Sequence, residues 1–383
     1  TPTLYVPDRI DEGYGPNPEA MSQLAANHEL IICVDCGTLS HDALAAAAAA
    51  DVVVLDHHLG SETLPPALAV VNPNRQDETG DLAHLCAAAV VFMVLVEASR
   101  IMRQDGQNAP DLLGGLDLVA LATVADVAPL VGVNRAFVRQ GLKIMQQRQR
   151  IGLNALSDIA GLDTAPSAYH LGYVLGPRIN AGGRIGKADL GARLLCSQNI
   201  HEASAMAEKL EELNTERRSV ETTVRLEALE QAEKRGLDAP LVWAAGEGWH
   251  PGVVGIVASR LKEKTNRPSV VIGFDGDEGK GSGRSVAGVD LGVCIQKLVR
   301  DGYIVKGGGH KMAAGLSLSR EQLEPAMQKL GQLLAAQVSV DLGPSDLRID
   351  CALMPGAASL EMIEYLNQAG PFGSAASAPR FAF

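Results

Sequence analysis

The sequence contains few aromatic residues, few cysteines and no long apolar run. Phe, Trp and Tyr make up only 4% of its 383 residues, which argues against binding through rows of stacked aromatic side chains. Six cysteines are too few for a disulfide framework in a chain of this length, so we expect a reducing, cytoplasmic setting. No apolar run reaches the ~18–20 residues that a membrane helix needs, and no signal-peptide pattern opens the chain. We therefore expect no membrane association.

The charge balance is acidic, with 45 Asp and Glu residues against 33 Lys and Arg residues and a net charge of −12 at pH 7. Proteins that coat nucleic acid passively usually present a basic face, so this class is disfavoured. An enzyme that meets phosphates through bound metal ions and a few arginines is compatible with the acidic balance. Clusters of acidic metal ligands themselves make the net charge more negative.

The order of apolar segments predicts an α/β protein. Hydrophobic residues make up 46% of the chain, and the length suits two or three domains. In residues 1–195, short apolar runs alternate with helical patterns, which is typical of a parallel sheet with crossover helices. The run at 29–35 predicts a strand buried on both faces. Further strands are expected at 4–6, 51–56 and 68–72.

The rest of the chain predicts a long helix followed by a smaller α/β unit. Apolar residues at spacings of three and four predict one helix over 201–235, within a connector at 196–236. Gly236 is expected to end this helix. A second α/β unit is expected at 237–340, and residues 341–383 are interpreted as the start of a C-terminal region that stops before a domain is complete.

Acidic and imidazole side chains follow two of the predicted strands. Asp35 ends the first buried run, Asp56 ends the next and is followed at once by His57 and His58, and Asp126 follows an apolar helix pattern. Ligands of parallel sheets gather beyond the carboxyl ends of the strands, and carboxylates with imidazoles suit manganese, zinc or iron. Either strand-end aspartate alone is explained as well by capping of the next helix. Their combination with the histidines favours a metal site.

Several segments, in this order along the chain, resemble the DHH phosphoesterase superfamily. They lie at 7–15, 34–37, 56–58, 125–127, 176–184, 281–285 and 307–315. The resemblance covers nearly the whole chain and is strongest to the branch of exonucleases that act on single-stranded DNA. It implies an α/β fold in which a parallel-sheet DHH domain is joined by the long connector helix to a smaller DHH-associated domain. An oligonucleotide-binding barrel would begin within 341–383.

The resemblance also implies a phosphodiesterase that uses two manganese ions, with magnesium as an alternative. In that scheme Asp35 bridges the two ions, and His57 and Asp126 each bind one of them. Asp56 orients the histidines, and His58 contacts the scissile phosphate. Two cations about 3.5–4 Å apart activate a water and stabilise the attacking and leaving oxygens of an in-line displacement. No Ser or Cys nucleophile is then required.

Further residues are expected to hold the nucleotide backbone. By resemblance, Arg9, Ser282 and Arg284 hold the 5′-terminal phosphate, since Ser282 and Arg284 occupy alternate positions of an extended segment and face the same side. An arginine matches phosphate oxygens with two parallel hydrogen bonds. A predicted glycine turn and the histidine after it are also expected to contact the substrate backbone, namely Gly307, Gly308, Gly309 and His310.

Three polar residues of the segment at 176–184 admit two interpretations. Arg178, Asn180 and Arg184 either approach the DNA or fix a turn that leads into the connector helix. The residues alone favour neither interpretation.

The first Asp-rich motif of the family is not found in the chain, and we expect the sequence to be part of a longer protein. Two alternatives to a single-strand exonuclease follow. One is a related phosphoesterase that degrades very short RNA or nucleoside bisphosphates, and the other is a non-catalytic relative that binds single strands. The expected partner is single-stranded DNA. A helicase and a single-strand-binding protein are candidate protein partners, and the chain is expected to be a monomer.

Overall fold

The computed structural model describes residues 2–8, 12, 13, 15–337 and 347–383, and it has the expected α/β architecture. Contacts between Cα atoms divide the chain into two units, residues 1–212 with 348–383 and residues 213–347. Arg9, one of the predicted phosphate contacts, lies outside the described residues. Among the residues that are described, no helix is both long and apolar enough to cross a membrane.

The N-terminal unit is built on three parallel strands in the order β1-β2-β3, surrounded by helices. Its elements are α1 (Pro18–Ala25), β1 (Leu30–Val34), α2 (His41–Ala45), β2 (Asp51–Leu55), β3 (Ala69–Val71), α3 (Ala87–Gln104), α4 (Leu116–Ala125), α5 (Gly132–Gln146), α6 (Ile151–Ile159), a π-helical turn (His170–Leu175), α7 (Gly176–Ile185) and α8 (Leu190–Cys196). The strand predicted at 4–6 does not form, because no described strand pairs with that segment.

Strand β1 is buried on one face only. Ile31 and Cys33 pack in a core with residues of α1, α2 and β2. Leu30, Ile32 and Val34 point the other way and are 51%, 53% and 53% exposed. The prediction of burial on both faces was therefore wrong, because the described chain covers only one face of β1.

The long helix is confirmed as α9 (Ile200–Arg235). Ala203 and Leu210 pack in the core of the N-terminal unit, whereas Val224 and Ala228 pack in a core of the second unit. Gly236 follows the helix with φ 98°, the left-handed conformation that commonly ends helices.

The glycine-rich segment at 176–184, for which a turn was one of two interpretations, forms helix α7. Pro177 stands where α7 continues from the π-helical turn at His170–Leu175. A Cβ on Gly182 would lie 3.2 Å from the carbonyl oxygen of Lys187 and 3.3 Å from Leu210. This glycine therefore allows close helix packing.

The second unit is a mixed five-stranded sheet with helices on both faces. Its elements are β4 (Val242–Glu247), α10 (Pro251–Thr265), β5 (Ser269–Asp275), β6 (Glu278–Arg284), α11 (Leu291–Arg300), β7 (Lys306–His310), β8 (Ala313–Ser319) and α12 (Leu323–Ala335). The strand order is β4-β5-β6-β8-β7, and only the β4–β5 pair is parallel. Val270 and Ile272 of β5 pack with α11 and α12, whereas Val271 between them packs with α10. This alternation buries both faces of the strand.

The three consecutive glycines lie in edge strand β7, so the predicted turn was wrong, whereas their contact with the substrate backbone stays a prediction. Gly308 pairs with Gly315 of β8, and the turn itself comes later, at 311–312. A Cβ on Gly307 would lie 2.6 Å from Ile295, and one on Gly309 would lie 2.3 Å from the carbonyl oxygen of Ala313. The strand therefore requires glycine at 307 and 309 because neighbouring groups approach closely.

The C-terminal residues pack on the N-terminal unit. They contain β9 (Cys351–Ala352), α13 (Leu360–Ala369) and β10 (Phe381–Ala382), with β9 and β10 paired in parallel. The amide of Leu130 donates to the carbonyl oxygen of Ser374 over 2.8 Å. That an oligonucleotide-binding barrel begins here stays a prediction.

The glycine strand gives a matched pair of variants. We expect Gly309→Ala to lower the free energy of unfolding of the second unit by about 1–3 kcal/mol, because the new methyl group has no space and φ 153° at this position disfavours a side chain. Gly308→Ala should change it by less than about 0.5 kcal/mol, since nothing lies within 4 Å of that Cβ position. Both tryptophans of the chain, Trp243 and Trp249, lie in this unit. Urea unfolding followed by tryptophan fluorescence measures the difference, and equal stability of the two variants would contradict the packing argument.

Candidate metal centre

Asp35 directly follows β1 and places a carboxylate at the end of that strand. Its backbone has φ 60°, the left-handed region that aspartate tolerates better than most residues with a side chain. The amide of Asp35 donates to the carbonyl oxygen of Leu55 over 3.0 Å. This bond extends the β1–β2 ladder by one residue, and the carboxylate stays 63% exposed. Asp35 is therefore fixed by its backbone and accessible to a ligand.

The carboxylate of Asp56 is buried and organises the turn after β2. Its Oδ1 accepts from the amides of His57 and His58 over 2.8 and 3.3 Å and lies 2.7 Å from Nδ1 of His58. Its Oδ2 accepts from the amide of Thr38 over 3.1 Å. Because Thr38 belongs to the turn after β1, Asp56 ties the ends of two neighbouring strands together.

The ring of His57 is oriented by a backbone carbonyl group. Nδ1 lies 3.1 Å from the carbonyl oxygen of Leu85, which can only accept, so the neutral ring carries its proton on Nδ1 and a lone pair on Nε2. Nε2 lies 3.2 Å from Oδ1 of Asp35 and 3.7 Å from Oδ2 of Asp126. The two carboxylates therefore meet at His57.

Asp126 reaches the centre from the end of α4. Its amide donates to the carbonyl oxygen of Ala122 over 2.9 Å, which closes the last helical turn. Val127, which comes next, has φ 58° and is 70% exposed. A β-branched residue in this conformation is strained, and such strain persists where the surrounding structure holds it.

The donor set fits a divalent metal ion. One ligand atom each of Asp35, His57 and His58 lies within 4.8 Å of the others, and Asp126 borders the same imidazole nitrogen. Imidazole nitrogen and carboxylate oxygen together suit manganese and related divalent ions. The hydrogen bond between Nδ1 of His57 and a carbonyl group is the outer support that ligating histidines usually have.

Two asparagines that the sequence reasoning missed support the same turn. The Nδ2 of Asn72 donates to Oγ1 of Thr38 over 2.9 Å and to the carbonyl oxygen of His58 over 2.8 Å. The Nδ2 of Asn74 donates to the carbonyl oxygen of His57 over 2.7 Å. Both follow β3, so their position after a third parallel strand was the available signal.

In the second unit, Ser282 and Arg284 lie on β6 and form a polar pair. Nη1 of Arg284 donates to Oγ of Ser282 over 2.8 Å. A Cβ on Gly255 of α10 would lie 3.1 Å from each of the two side chains. The glycine therefore leaves room for the pair, whose contact with a 5′-phosphate stays a prediction.

Arg178 is buried and bonded within the protein. Its Nε donates to the carboxylate of Glu211 on α9, and its Nη1 donates to the carbonyl oxygen of Val174 over 2.8 Å. These contacts fix α7 to the connector helix, which favours a structural role for Arg178, whereas its contact with DNA stays a prediction. Asn180 is exposed and Arg184 half-buried, and their contact with DNA stays a prediction.

Known proteins share this fold and these segments. Residues 2–123 match the DHH family, N-terminal domain, and residues 238–336 match the DHHA1 domain. The chain is 38% identical over 395 residues to the single-stranded-DNA-specific exonuclease RecJ of Escherichia coli (strain K12), which covers 98% of this chain and 68% of that protein. The chain belongs to the RecJ family.

Solved RecJ structures agree with the fold and the donor set. The crystal structure of RecJ from Thermus thermophilus in complex with Mn²⁺ is similar, with a TM-score of 0.81, 30% identity, and coverage of 95% of this chain and 53% of that chain. The structure of RecJ from the same organism with Mg²⁺ has a TM-score of 0.70 and 27% identity, covering 95% of this chain and 55% of that one. The chain thus spans roughly half the length of the Thermus RecJ chains. RecJ proteins are crystallised with both ions that the resemblance implied.

The protonation equilibria of this RecJ-family centre reflect its hydrogen bonds. The contact with Asp35 raises the pKa of His57 above its ordinary value, although burial acts against it. Burial raises the pKa of Asp126. Burial alone would also raise the pKa of Asp56, but hydrogen bonds from His58 and Thr38 outweigh it and hold that pKa well below its usual range. The same bond to Asp56 raises the pKa of His58.

We expect manganese binding to strengthen as the pH rises through the pKa of His57, because Nε2 must lose its proton before it can bind a cation. Calorimetric titration in buffers of different ionisation enthalpy should show proton release on binding. His57→Gln should weaken binding by on the order of 100-fold or more, whereas His201→Gln, an exposed histidine of α9, should bind like the wild type. Absence of detectable binding by the wild type would contradict the proposed centre and favour the non-catalytic alternative.

We expect Asp56→Asn to lower the free energy of unfolding by about 1–3 kcal/mol, because an amide nitrogen cannot accept from the amide of Thr38. The depressed pKa of Asp56 stabilises the native state above the pKa of the unfolded chain, so this loss should be largest near neutral pH and shrink below about pH 4. The pKa of His58 should fall, as measured by NMR titration. Asp42→Asn, at an exposed aspartate in the first turn of α2, is the control. An unchanged pKa of His58 would refute the role of Asp56.

Proposed function

We propose that this chain carries the catalytic core of a metal-dependent exonuclease that hydrolyses phosphodiester bonds of single-stranded DNA from the 5′ end, in DNA repair and recombination. The observation that carries the proposal is the meeting of Asp35, His57 and Asp126 at distances suited to shared cations. Membership of the RecJ family supports the choice of substrate, because the E. coli relative is named for single-stranded DNA.

Two manganese ions are the proposed cofactors, with magnesium as a substitute. Divalent cations held here would lower the pKa of an attacking water and offset the negative charge of the phosphate. Asp35 would bridge them, His57 would offer the lone pair of Nε2, and Asp126 would supply a further carboxylate oxygen. The hydrogen bonds around Asp56 hold the turn after β2 in one conformation. The ligands are then already in place before a cation binds, so binding does not have to order them.

His58 is proposed to contact the scissile phosphate. Its Nδ1 is engaged by Asp56 over 2.7 Å, and the side chain remains 35% exposed. Because the bond to Asp56 raises the pKa of His58, the ring holds a proton more readily than a free imidazole. A protonated ring donates from both nitrogens, so it could hold a phosphate oxygen while Asp56 keeps its orientation.

Recognition of the strand end is proposed for the second unit. Ser282 and Arg284 offer a hydroxyl and a guanidinium group on one face of β6, a combination that suits a terminal phosphate. Edge strand β7 adds Gly308, above which space is open, and the exposed His310. A nucleotide backbone can approach such a glycine more closely than any other residue.

The cellular setting is proposed from composition and chemistry. All six cysteines are free, which supports a reducing cytoplasm. A helicase that separates strands and a protein that coats single strands would supply the substrate, and the chain would act as a monomer.

The test is digestion of end-labelled oligonucleotides by this chain with manganese. We expect mononucleotides to be released from a single strand that carries a 5′-phosphate, and slower release from a strand with a 5′-hydroxyl group. A blunt duplex of the same sequence should resist, and Asp126→Asn should be inactive on every substrate. Equal cutting of duplex and single strand would refute the single-strand claim. Preference for dinucleotides over long strands would favour the short-RNA phosphoesterase instead.

A further inference from the structure

A groove of about 600 Å³ lies in the N-terminal unit at the residues that flank Asp126. One wall comes from the chain around the end of α4, the second from the π-helical turn and the residues before it, and the third from residues 372–380. Ala125 and Val127, the two neighbours of Asp126, both line it. The volume falls within the ~300–1,000 Å³ of small-molecule sites. A molecule in this groove would therefore lie next to a metal ligand.

Two tyrosines present their rings to solvent at this groove. Tyr169 and Tyr173 are 63% and 69% exposed, although large aromatic side chains are usually buried. Their ring centroids are 5.2 Å apart, and the ring planes are inclined by only 25°. The two rings are thus stacked on each other. A planar ligand could stack on the outer face of one ring and lengthen the stack.

The backbone that carries the tyrosines is held against α4, the helix that Asp126 directly follows. A Cβ on Gly172 would lie 3.2 Å from Cγ1 of Val124, and one on Gly176 would lie 3.4 Å from Ala125. The segment at His170–Leu175 is π-helical, a rare conformation that often occurs at functional sites. The segment that carries the stacked rings therefore packs directly against the end of α4, where Asp126 lies.

The third wall adds a positive charge. Arg380 lines the groove from the C-terminal segment and is exposed. Stacked aromatic rings beside an arginine are the combination with which proteins hold single strands, since the rings bind base faces and the cation binds phosphate. Because the chain has a net charge of −12, it repels a nucleic acid at long range. Stacking on the tyrosine rings would bind a base without depending on charge.

We propose that Tyr169 and Tyr173 form a stacking site for a nucleobase of the single strand whose backbone lies at the metal centre. The inference rests on the proposed function and adds to it a contact that is independent of sequence, because every base has a π-face. The ligand is a nucleobase within a single strand, and a peptide segment in the same groove is the competing outcome.

The test compares binding of two single strands to the chain in EDTA, so that neither strand is cut. One strand is oligothymidylate, and the other has the same length but only abasic sites. The Tyr169→Leu, Tyr173→Leu double variant should bind oligothymidylate roughly 5- to 100-fold more weakly and the abasic strand as well as the wild type does. The double phenylalanine variant should restore binding, because it keeps the rings. Tyr365→Leu, at an exposed tyrosine of α13 outside the groove, is the control.

Kinetics with manganese provide a second measurement. Loss of a contact made equally to the substrate and to the transition state should raise KM and leave kcat unchanged. Equal weakening for both strands in the leucine variant would show a merely structural role and overturn the stacking site, as would unchanged binding of both. Unchanged binding together with altered sedimentation would assign the groove to protein contacts. A wild type that neither binds nor cuts single strands would overturn the proposed function itself, and the stacking site with it.

Discussion

The structure of the centre depends on one buried carboxylate. Asp56 accepts hydrogen bonds from three backbone amides and faces one imidazole nitrogen, and these partners lie in the turns after two different strands. Withdrawn from water, an unsatisfied carboxylate would be costly, so the turns must adopt the geometry that satisfies it. That geometry fixes where His57 stands, and the accessible carboxylates of Asp35 and Asp126 gather around it. A single buried side chain thus determines the shape of the site.

The proposed reaction joins an acidic protein to a polyanionic substrate. Repulsion between them is long-ranged, but it is screened beyond about 8 Å at physiological ionic strength. Within that distance the molecule offers features of different kinds in different places: a donor set for cations, an arginine paired with a serine, and stacked rings. Each of them acts at short range, so the net charge of the chain governs the rate of encounter more than the strength of the final contact.

Much of the centre could be predicted because parallel sheets gather side chains at the carboxyl ends of their strands. Asp35 and Asp56 were recognisable as strand-end residues, and the long helix α9 was recognisable from its periodicity. The approach of Asp126 to His57 depends on how α4 packs, which no local pattern contains. The partners of Arg178 were equally hidden, because Glu211 is 33 positions away. Burial of β1 was overestimated, since an apolar run does not reveal which elements cover each face.

Glycine was the most misleading residue type. The pattern at 307–309 suggested a turn but forms a strand, and the segment at 176–184, for which a turn was one of two interpretations, forms a helix. Neighbouring groups lie where a Cβ of Gly307, Gly309 or Gly182 would be, so close packing explains these glycines, and Gly309 in addition has φ 153°. The low aromatic content was misleading in another way, because composition averages over the chain and cannot show that two tyrosines are stacked at one groove.

Val127 has a strained backbone conformation at a position where other residue types would fit better. A valine with φ 58° lowers the stability of the fold by about 1–2 kcal/mol relative to a residue that adopts the left-handed conformation without strain. Glycine or asparagine would relieve the cost, and neither replacement removes a ligand. Position 127 is therefore a place where a single exchange could raise the heat resistance of a relative without replacing its neighbour Asp126.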